Sequence, residues 1–349
     1  MSEIVFFLPP SFETAGGGSP YNRLLIAALR GLGCSVATTA VASGDEARRA
    51  WAALMGSAVG VIDGLVLPFF DAGTGEAPWL DGRAAALVHH PTALADPARR
   101  DLIRAAECRL LPRLGCVVAT SEGVGARLIA EFGVPAWRLH VVVPGLADLP
   151  RGQGSGQAAC RILSVGRLAP RKGHDVLLRA VARLPDLDWR LTIAGDSHGE
   201  AAWTESLGTL ATGLGIEHRV ALLERPAGSM LEQLWGAADL FALASRRETT
   251  AVAVAEALRR GLPVAVTGCD ALPEDVGASC PPEDDAALSR CLRRMIFDRA
   301  LRRHMAETAW TAGQRLPGWP TQARCFLDAL ATGEEGPQAW RVRAEPGAC

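Results

Sequence analysis

The sequence lacks an excess of either charge and lacks paired cysteines. Its 349 residues carry a formal net charge of −2, so no surplus of basic residues indicates binding to nucleic acid. The nine cysteines are odd in number and scattered, and no C-x-x-C pair occurs. This pattern favours free thiols in a reducing compartment over disulfides or a zinc cluster.

The beginning of the chain also lacks a long hydrophobic run. The apolar run near the start is far too short to span a bilayer, and no basic leader of a signal peptide precedes it. We therefore expect a cytoplasmic protein. The arginines between Arg99 and Arg113 lie among Leu and Ile, which allows two interpretations. They form either a basic patch with weak peripheral contact to the inner membrane face, or a solvated helix face.

What the chain does contain is enough apolar sequence for two cores, since 49% of its residues are hydrophobic. Short apolar runs alternate with segments of helical periodicity, as in a parallel sheet covered by helices on both faces. The glycine-rich stretch 151–157 interrupts this alternation, which restarts at Ile162. We predict an α/β fold with Rossmann-like domains at 1–150 and 158–316, a linker at 151–157, and a ligand cleft between the carboxyl ends of their strands.

A first motif with chemical meaning follows the strand predicted at 162–165. Gly166 at the strand end lets a ligand approach the backbone, and Arg167 and Lys172 place two cations near the start of the next helix. The free N–H groups of a helix start also favour anions, so the motif suits a diphosphate. The spacing by itself fits a basic surface turn equally well.

A second motif spans another junction of strand and helix and carries Glu248 and Glu256. In a continuous helix their carboxylates would lie about 12 Å apart along the axis, too far to share one acid–base reaction. That distance suits the two ends of an extended ligand. The alternatives are a Glu248 that only favours the helix start and a Glu256 exposed to solvent.

Together these motifs resemble the retaining GT-B glycosyltransferases of the family 4 type. The resemblance is strongest in ILSVGRLAPRKGHDVLLRAVARL, LTIAG and ETTAVAVAEALRRGLPVAVT, and it extends to TAGGGS, LVHH and VVATSEGVGARLIAEFGVPAWRLHVVVPG. It implies a GT-B fold, with two parallel sheets facing across a cleft. It also implies transfer of a sugar from a nucleoside diphosphate sugar, a UDP- or GDP-sugar, to a hydroxyl acceptor. Retention of anomeric configuration is implied, with no metal and no other cofactor.

The resemblance also implies roles for individual residues. Arg167 and Lys172 bind the donor diphosphate, Glu256 binds the ribose hydroxyls, and Glu248 lies by the transferred sugar. A histidine after a strand of the first domain lies near the reacting centre, and His89 and His90 both qualify. The donor site further includes Gly17, Gly18, Gly166, Gly195, Thr249, Thr250 and Ala251. The segment 317–349 is expected to cross back onto the first domain.

One departure from the family pattern leaves two alternatives open. The family usually has E-G-[FY]-G, whereas this chain has Glu248-Thr249-Thr250-Ala251, which restricts the backbone conformations that glycine allows. The alternatives are a catalytically impaired nucleotide-sugar-binding protein and a GT-B nucleotide-sugar epimerase. A nicotinamide dehydrogenase is disfavoured, because neither half has G-x-G-x-x-G after its first strand. The string Asp186-Leu-Asp188 fits a turn better than a metal site.

Overall fold

The computed structural model describes residues 3–12, 20–55, 57–71, 83–94, 98–197, 200–246, 252–268, 272 and 275–332. The chain forms two compact units. The first unit consists of Met1–Gly145 and Gly318–Cys349, and the second of Leu146–Pro317. Each unit is an α/β structure around its own sheet.

The first unit, as far as it is described, contains a six-stranded parallel sheet in the order β2-β1-β3-β4-β5-β6. Its strands are β1 Ile4–Leu8, β2 Val36–Ala40, β3 Val59–Asp63, β4 Ala84–Val88, β5 Cys116–Ala119 and β6 Leu139–Val141. Its helices are α1 Pro20–Gly31, α2 Gly44–Ala52, α3 Arg100–Leu110, α4 Glu122–Phe132 and a last helix at Trp319–Ala331. The strand order reverses between β1 and β3, where α/β sheets bind ligands beyond the carboxyl ends of the strands.

The sheet of the first unit is buried on both faces. Every residue of β3 and β4 is buried, which explains why these strands are continuous apolar runs. On one face Phe7 packs against the rings of Trp51 and Phe70, with centroid distances of 5.8 and 5.4 Å. The helices α2, α3 and α4 cover that face.

The opposite face is covered by α1 and the helix at Trp319–Ala331. Phe326 of this helix stacks on Phe6 of β1 at 5.9 Å, and Trp319 packs edge-on against Tyr21 at 5.2 Å. The described part of the segment 317–349, predicted to cross back, therefore packs in the core of the first unit from Gly318 onward.

The second unit contains, among its described residues, a six-stranded parallel sheet in the order β12-β11-β10-β7-β8-β9. Its strands are β7 Cys160–Val165, β8 Trp189–Gly195, β9 Val220–Glu224, β10 Leu240–Leu243, β11 Val264–Thr267 and β12 Gly277–Cys280. Its helices are α5 His174–Ala182, α6 Ala201–Gly213, α7 Gly228–Ala237, α8 Val252–Arg259, α9 Asp285–Phe297 and α10 Arg299–Arg315, which makes the last helix of the chain α11. The order reverses between β7 and β10, as in dinucleotide-binding sheets.

Helices cover both faces of the second sheet. On one face α5, α6 and α9 enclose Trp189, and on the other α7, α8 and α10 enclose Trp235, which stacks on Phe241 at 5.3 Å. The described helices of the chain include none that is long and apolar enough to cross a membrane.

The segment predicted as a linker, 151–157, is hydrogen-bonded to the second unit. The amide of Gly152 donates to the Arg260 carbonyl at 2.8 Å, and that of Gly154 to Gly236 at 3.1 Å. The Asp239 carboxylate accepts from the amide and the hydroxyl of Ser155, at 2.9 and 2.6 Å. The polar composition of the segment 151–157 therefore reflects its hydrogen bonds to the start of the buried strand β10, which Asp239 directly precedes.

Candidate functional site

In the second unit, the turn that follows β7 brings Lys172 against the strand end. The chain leaves β7, forms one 3-10 turn over Pro170–Lys172 and enters α5 through Gly173. Gly173 is left-handed, with φ of 61°, and a Cβ there would overlap the Ala244 carbonyl that follows β10. Only glycine lets the turn approach the neighbouring strand end so closely.

Lys172 is buried, with 8% of its surface exposed. Its aliphatic stem passes over Gly166, since a Cβ on that glycine would lie 3.6 Å from Cε of the lysine. Arg167, by contrast, is exposed at the same strand end. The glycine thus leaves room for the stem of Lys172 at the carboxyl end of β7.

Gly195 ends the neighbouring strand β8 and is required by a close backbone approach. A Cβ at this position would overlap the carbonyl of Gly166. The Gly166 amide also donates to the Ala194 carbonyl at 3.0 Å. The structure therefore brings Gly166, Lys172 and Gly195 together, as the sequence predicted for three residues of one site.

Arg246, which was not predicted, fixes this turn from the end of β10. Its guanidinium donates to both carboxylate oxygens of Asp175, at 3.0 and 2.8 Å, and it also bonds the Pro170 carbonyl and Glu283. Its backbone amide donates to the Arg171 carbonyl at 2.9 Å. One arginine therefore joins β10, the Lys172 turn, the first turn of α5 and the loop before α9.

The Asp175 carboxylate is the centre of this network and is ionised at neutral pH. Burial alone would raise its pKa, but the hydrogen bonds donated by Arg246 and Arg179 outweigh that effect and hold the pKa below its ordinary value. The network is buried at Asp175, whose side chain is 10% exposed, and reaches water at Arg179 and Glu283, so the bonds around Asp175 are the ones that hold the turn.

Glu256 lies on α8, one strand away from the turn, and is half-buried. Burial raises the pKa of its carboxyl, against the attraction of Arg260 one helical turn later. Arg260 instead donates two hydrogen bonds to Glu232, at 2.8 and 2.7 Å. No described residue donates a hydrogen bond to Glu256, which suits a carboxylate that accepts from ligand hydroxyls.

In the first unit, three polar side chains meet where the strand order reverses. The Asn22 amide donates to Asp63 Oδ2 at 2.5 Å, and His89 Nε2 lies 2.8 Å from Asn22 Oδ1. Asp63 ends β3, His89 follows β4, and Asn22 begins α1 after the loop from β1. Because the amide nitrogen of Asn22 faces Asp63, its oxygen faces His89, so His89 carries its proton on Nε2.

His89 is hydrogen-bonded in this cluster, whereas its neighbour His90 is exposed and acts on the cluster through its charge. Burial lowers the pKa of His89 to about 4, and the nearby His90 adds to the effect. Burial also raises the pKa of Asp63, against hydrogen bonds from the Leu65 amide and from Asn22 and against the charge of His90. The ring of His89 is therefore neutral at pH 7 and serves as a hydrogen-bonding group rather than as a cation.

Several predicted residues cannot be placed. Gly17, Gly18, Glu248, Thr249, Thr250 and Ala251 lie outside the described residues. Asp186 of the D-x-D string accepts two hydrogen bonds from Arg293, at 2.7 and 2.8 Å. That pairing accounts for this aspartate as a structural residue of a helix-to-strand turn.

Two residues that the sequence reasoning missed, Asn22 and Tyr21, share with the predicted Lys172 a signal in the composition. Asn22 is the only asparagine of the chain and Tyr21 its only tyrosine, while Lys172 is the only lysine among 36 basic residues. Tyr21 packs edge-on against the His89 ring at 5.2 Å. The chain otherwise uses arginine as its basic residue and phenylalanine rather than tyrosine. The residue types that occur once thus lie at these two strand-end sites.

Solved structures with a similar fold extend over nearly the whole chain. Sucrose-phosphate synthase from Thermosynechococcus elongatus matches 93% of this chain and 97% of its own, with a TM-score of 0.77 and 18% identity. HepE from Anabaena, solved in complex with UDP and glucose, matches 95% and 100%, with a TM-score of 0.75 and 18% identity. At these identities the likeness concerns the fold, and it defines the chain as a GT-B protein of two Rossmann-like units. The predicted fold class is confirmed.

The sequence family is narrower than the fold. Residues 152–311 match the family described as glycosyl transferases group 1. The D-inositol 3-phosphate glycosyltransferase of Mycobacterium sp. (strain JLS) is 31% identical over 224 residues, which are 57% of this chain and 50% of the relative. That of Mycolicibacterium smegmatis is 29% identical over 271 residues, 68% and 62% of the two chains. The chain thus spans about half the length of the first of these relatives. The match to the glycosyl transferases group 1 thus covers nearly all of the second unit, and this is the family that the sequence motifs resemble.

Proposed function

We propose that this protein transfers a glycosyl unit from a nucleoside diphosphate sugar to a hydroxyl acceptor. The observation that carries the proposal is Lys172, the only lysine of the chain, buried at a turn that Arg246 ties down. This turn follows the first strand of the second unit, inside the region that matches the glycosyl transferases group 1. An ammonium group held at a strand end is suited to a departing diphosphate.

In the proposed reaction the second unit stabilises the leaving group. Lys172 and Arg167 neutralise the charge that develops on the diphosphate as its bond to the anomeric carbon breaks. Lys172 acts as a point charge on a constrained stem, which an arginine fork would not reproduce. Glu256 accepts hydrogen bonds from the ribose hydroxyls, and Glu248 contacts the transferred sugar. No step needs a metal. The acceptor oxygen bonds to the anomeric carbon on the face that the diphosphate leaves, which gives retention, and the acceptor proton passes to the departing diphosphate.

The first unit supplies a neutral hydrogen-bonding group. His89 bears its proton on Nε2 through Asn22, so Nδ1 is the ring atom that can accept a hydrogen bond from a sugar hydroxyl. Asp63 holds the Asn22 amide and thereby the tautomer of the histidine. Because the ring is uncharged at pH 7, it binds a hydroxyl as a hydrogen-bonding group rather than as a cation.

The donor is proposed to be a UDP- or GDP-sugar. HepE, which shares the fold, was solved with UDP and glucose, and this supports a UDP-sugar as the first donor to test. The protein is proposed to be cytoplasmic. Contact with a membrane through the Arg99–Arg113 region is the weaker part of the proposal, because Arg104 and Arg109 already pair with Glu131 and Asp71.

A calorimetric titration tests the donor site. UDP, GDP, ADP and their glucose derivatives are titrated into wild type and Glu256→Ala, with Glu205→Ala on exposed α6 as the matched control. We expect saturable binding of one nucleotide, weakened about tenfold by Glu256→Ala and unchanged by the control. If folded wild type binds none of these ligands, the transferase proposal is wrong.

A chemical experiment tests the lysine independently. Because Lys172 is the only lysine, a lysine-selective acylating reagent can modify only this side chain and the terminal amine. We expect the bound nucleotide diphosphate to slow acylation of Lys172, followed by mass spectrometry of the peptide. Equal acylation rates with saturating nucleotide and without it would remove Lys172 from the donor site.

The products formed without an acceptor distinguish transfer from its alternatives. Release of free sugar, or of an isomerised donor, without an acceptor would favour hydrolysis or epimerisation over transfer.

A further inference from the structure

A groove of about 660 Å³ lies in the second unit at the opposite end of the sheet from Lys172. It opens beside Asp239 and Pro263, which directly precede β10 and β11, whereas Lys172 follows the carboxyl end of β7. The segment 151–157 forms one wall and the first half of α10 the other. Its volume is in the range of small-molecule sites, roughly 300–1,000 Å³.

The wall formed by α10 is basic. Arg299, Arg302, Arg303 and Ala306 are spaced by three and four residues, so they share one face of the helix, and all four line the groove. Arg151 adds a fourth guanidinium from the opposite wall, against two lining carboxylates.

The two carboxylates of the groove are already bonded elsewhere. Asp239 accepts from the amide and hydroxyl of Ser155 and from the amide of Arg161, at 2.9, 2.6 and 2.9 Å. Glu307 pairs with Arg151 at 2.5 Å. Neither carboxylate forms an ion pair with an arginine of α10, and the four lining guanidinium groups outnumber the two carboxylates by two.

The α10 arginines retain donors for a ligand. A guanidinium has five N–H donors. Arg299 donates one hydrogen bond, to the Ala158 carbonyl at 2.8 Å, and Arg302 bonds the Met295 and Ile296 carbonyls through one nitrogen. Arg303 donates none to the described residues, and the described carboxylates form no ion pair with these three arginines. The groove therefore has positive charge that the protein does not balance.

We propose that this groove binds a phosphorylated small molecule, with its phosphoryl group between Arg299 and Arg303. The planar donor fork of arginine matches phosphate oxygens, which makes a phosphoryl group the anion that fits best. A phosphoryl group alone fills only a small part of the groove, so the ligand has an organic part. That part packs along the floor at Leu262 and Pro263, next to the glycines of 151–157. The proposal does not depend on the donor site.

Titration of inorganic pyrophosphate by calorimetry tests the phosphoryl contact. The variants are the double substitution Arg299→Ala/Arg303→Ala, Lys172→Met for the donor turn, and Arg315→Ala as a matched control on the same helix outside the groove. We expect two classes of site in wild type. The double variant should weaken pyrophosphate binding at the groove at least tenfold, and Lys172→Met should weaken binding at the donor turn. The control Arg315→Ala should leave both affinities unchanged. The proposal fails if the double variant binds like Arg315→Ala, or if Lys172→Met removes all binding.

The Arg303→Glu variant and two organic phosphates complete the test. Arg303 is exposed, so charge reversal should leave thermal unfolding unchanged while it abolishes groove binding. In the Lys172→Met background, glucose 6-phosphate and AMP distinguish a sugar phosphate from a nucleotide. A ligand that binds at least tenfold tighter than inorganic phosphate, and that Arg303→Glu weakens, supports the organic part. Equal affinities for glucose 6-phosphate, AMP and inorganic phosphate would contradict a ligand with an organic part.

Discussion

The two strand-end clusters of this molecule have the same topological position and opposite electrostatics. In the second unit, Lys172 lies in a turn held by ionised groups, with Arg246 bonded to Asp175 and Glu283. In the first unit, the neutral cluster consists of Asn22 and the uncharged ring of His89, and it lies against Asp63, whose pKa burial raises. Each cluster follows the strands at which the sheet order reverses.

The difference follows from the partners that each fold provides. In the second unit the buried carboxylate is surrounded by guanidinium groups, so ionisation is favoured and the turn gains rigidity. In the first unit no described cation bonds the Asp63 carboxylate, whose partners are an amide side chain and the Leu65 N–H. A charged cluster suits a phosphorylated ligand, and a neutral one suits hydroxyl groups, in agreement with the proposed roles.

The largest expected effect comes from Lys172. Lys172→Met should lower the rate of the chemical step by about 10²–10³-fold, because it removes a cation that acts on the departing diphosphate. Lys172→Arg keeps the charge but not the compact ammonium group, and should recover only part of the rate. Single-turnover kinetics at saturating donor measures both. Unchanged turnover in folded Lys172→Met would make the charged cluster structural only.

A second prediction concerns pH and the histidine beside the turn. His174 is fully buried, and burial lowers its pKa to about 4, with the charge of Lys172 adding to the effect. Below pH 6.5 the His174 side chain binds a proton in the unfolded chain but not in the folded chain. The free energy of unfolding is therefore highest, with respect to His174, above pH 6.5. It decreases as the pH falls towards 4, by up to about 1.4 kcal/mol per pH unit.

Urea unfolding between pH 7 and pH 4 measures this loss. His174→Leu should flatten the dependence, and the exposed His304→Ala should leave it unchanged. His89, with a pKa of about 4, contributes a similar slope from the first unit. A pH profile that neither His174→Leu nor His89→Leu alters would show that other groups determine the acid sensitivity.

Arg246 provides the next smaller effect. Arg246→Met should lower the free energy of unfolding by about 2 kcal/mol, because it leaves the buried Asp175 with fewer partners. Asp175→Asn/Arg246→Met should cost less than the sum of the single changes. The matched control is Arg225→Ala, whose pair with Asp196 is exposed and should change stability by less than about 0.5 kcal/mol. Equal effects of Arg246→Met and Arg225→Ala in urea unfolding would contradict the network.

The smallest effect is expected in the neutral cluster. Asn22→Ala should lower kcat/KM about tenfold, about 1.4 kcal/mol, because it releases the tautomer of His89. Nucleotide affinity, measured by calorimetry, should not change. The control is His90→Ala, which alters the exposed neighbour. If Asn22→Ala weakens nucleotide binding as strongly as it lowers kcat/KM, the first unit is not a separate hydroxyl site.

The sequence predicted more of the second unit's site than of the first's. Gly166 and Lys172 lie within a few residues of each other, so one local motif contained them. Asn22 and Asp63 are 41 positions apart, and only the parallel pairing of β1 with β3 brings them together. Arg246 is likewise 71 positions from Asp175. Sequence spacing carries no information on such pairs. The rarity of a residue type does mark one of their members, Asn22, the only asparagine of the chain, as it marks Lys172, the only lysine.

The sequence by itself determined the α/β class, the restart of the alternation after residue 157, the resemblance of the second unit to the glycosyl transferases group 1 and the turn that carries Lys172. These depend on local periodicity and short motifs, which neighbouring residues specify. The tertiary structure alone decided that His89 rather than His90 joins a cluster, that 151–157 is bonded to the second unit, and that Arg246 anchors the turn. Those outcomes depend on burial and on contacts between distant strands, because only folding removes the water that would otherwise solvate each group separately.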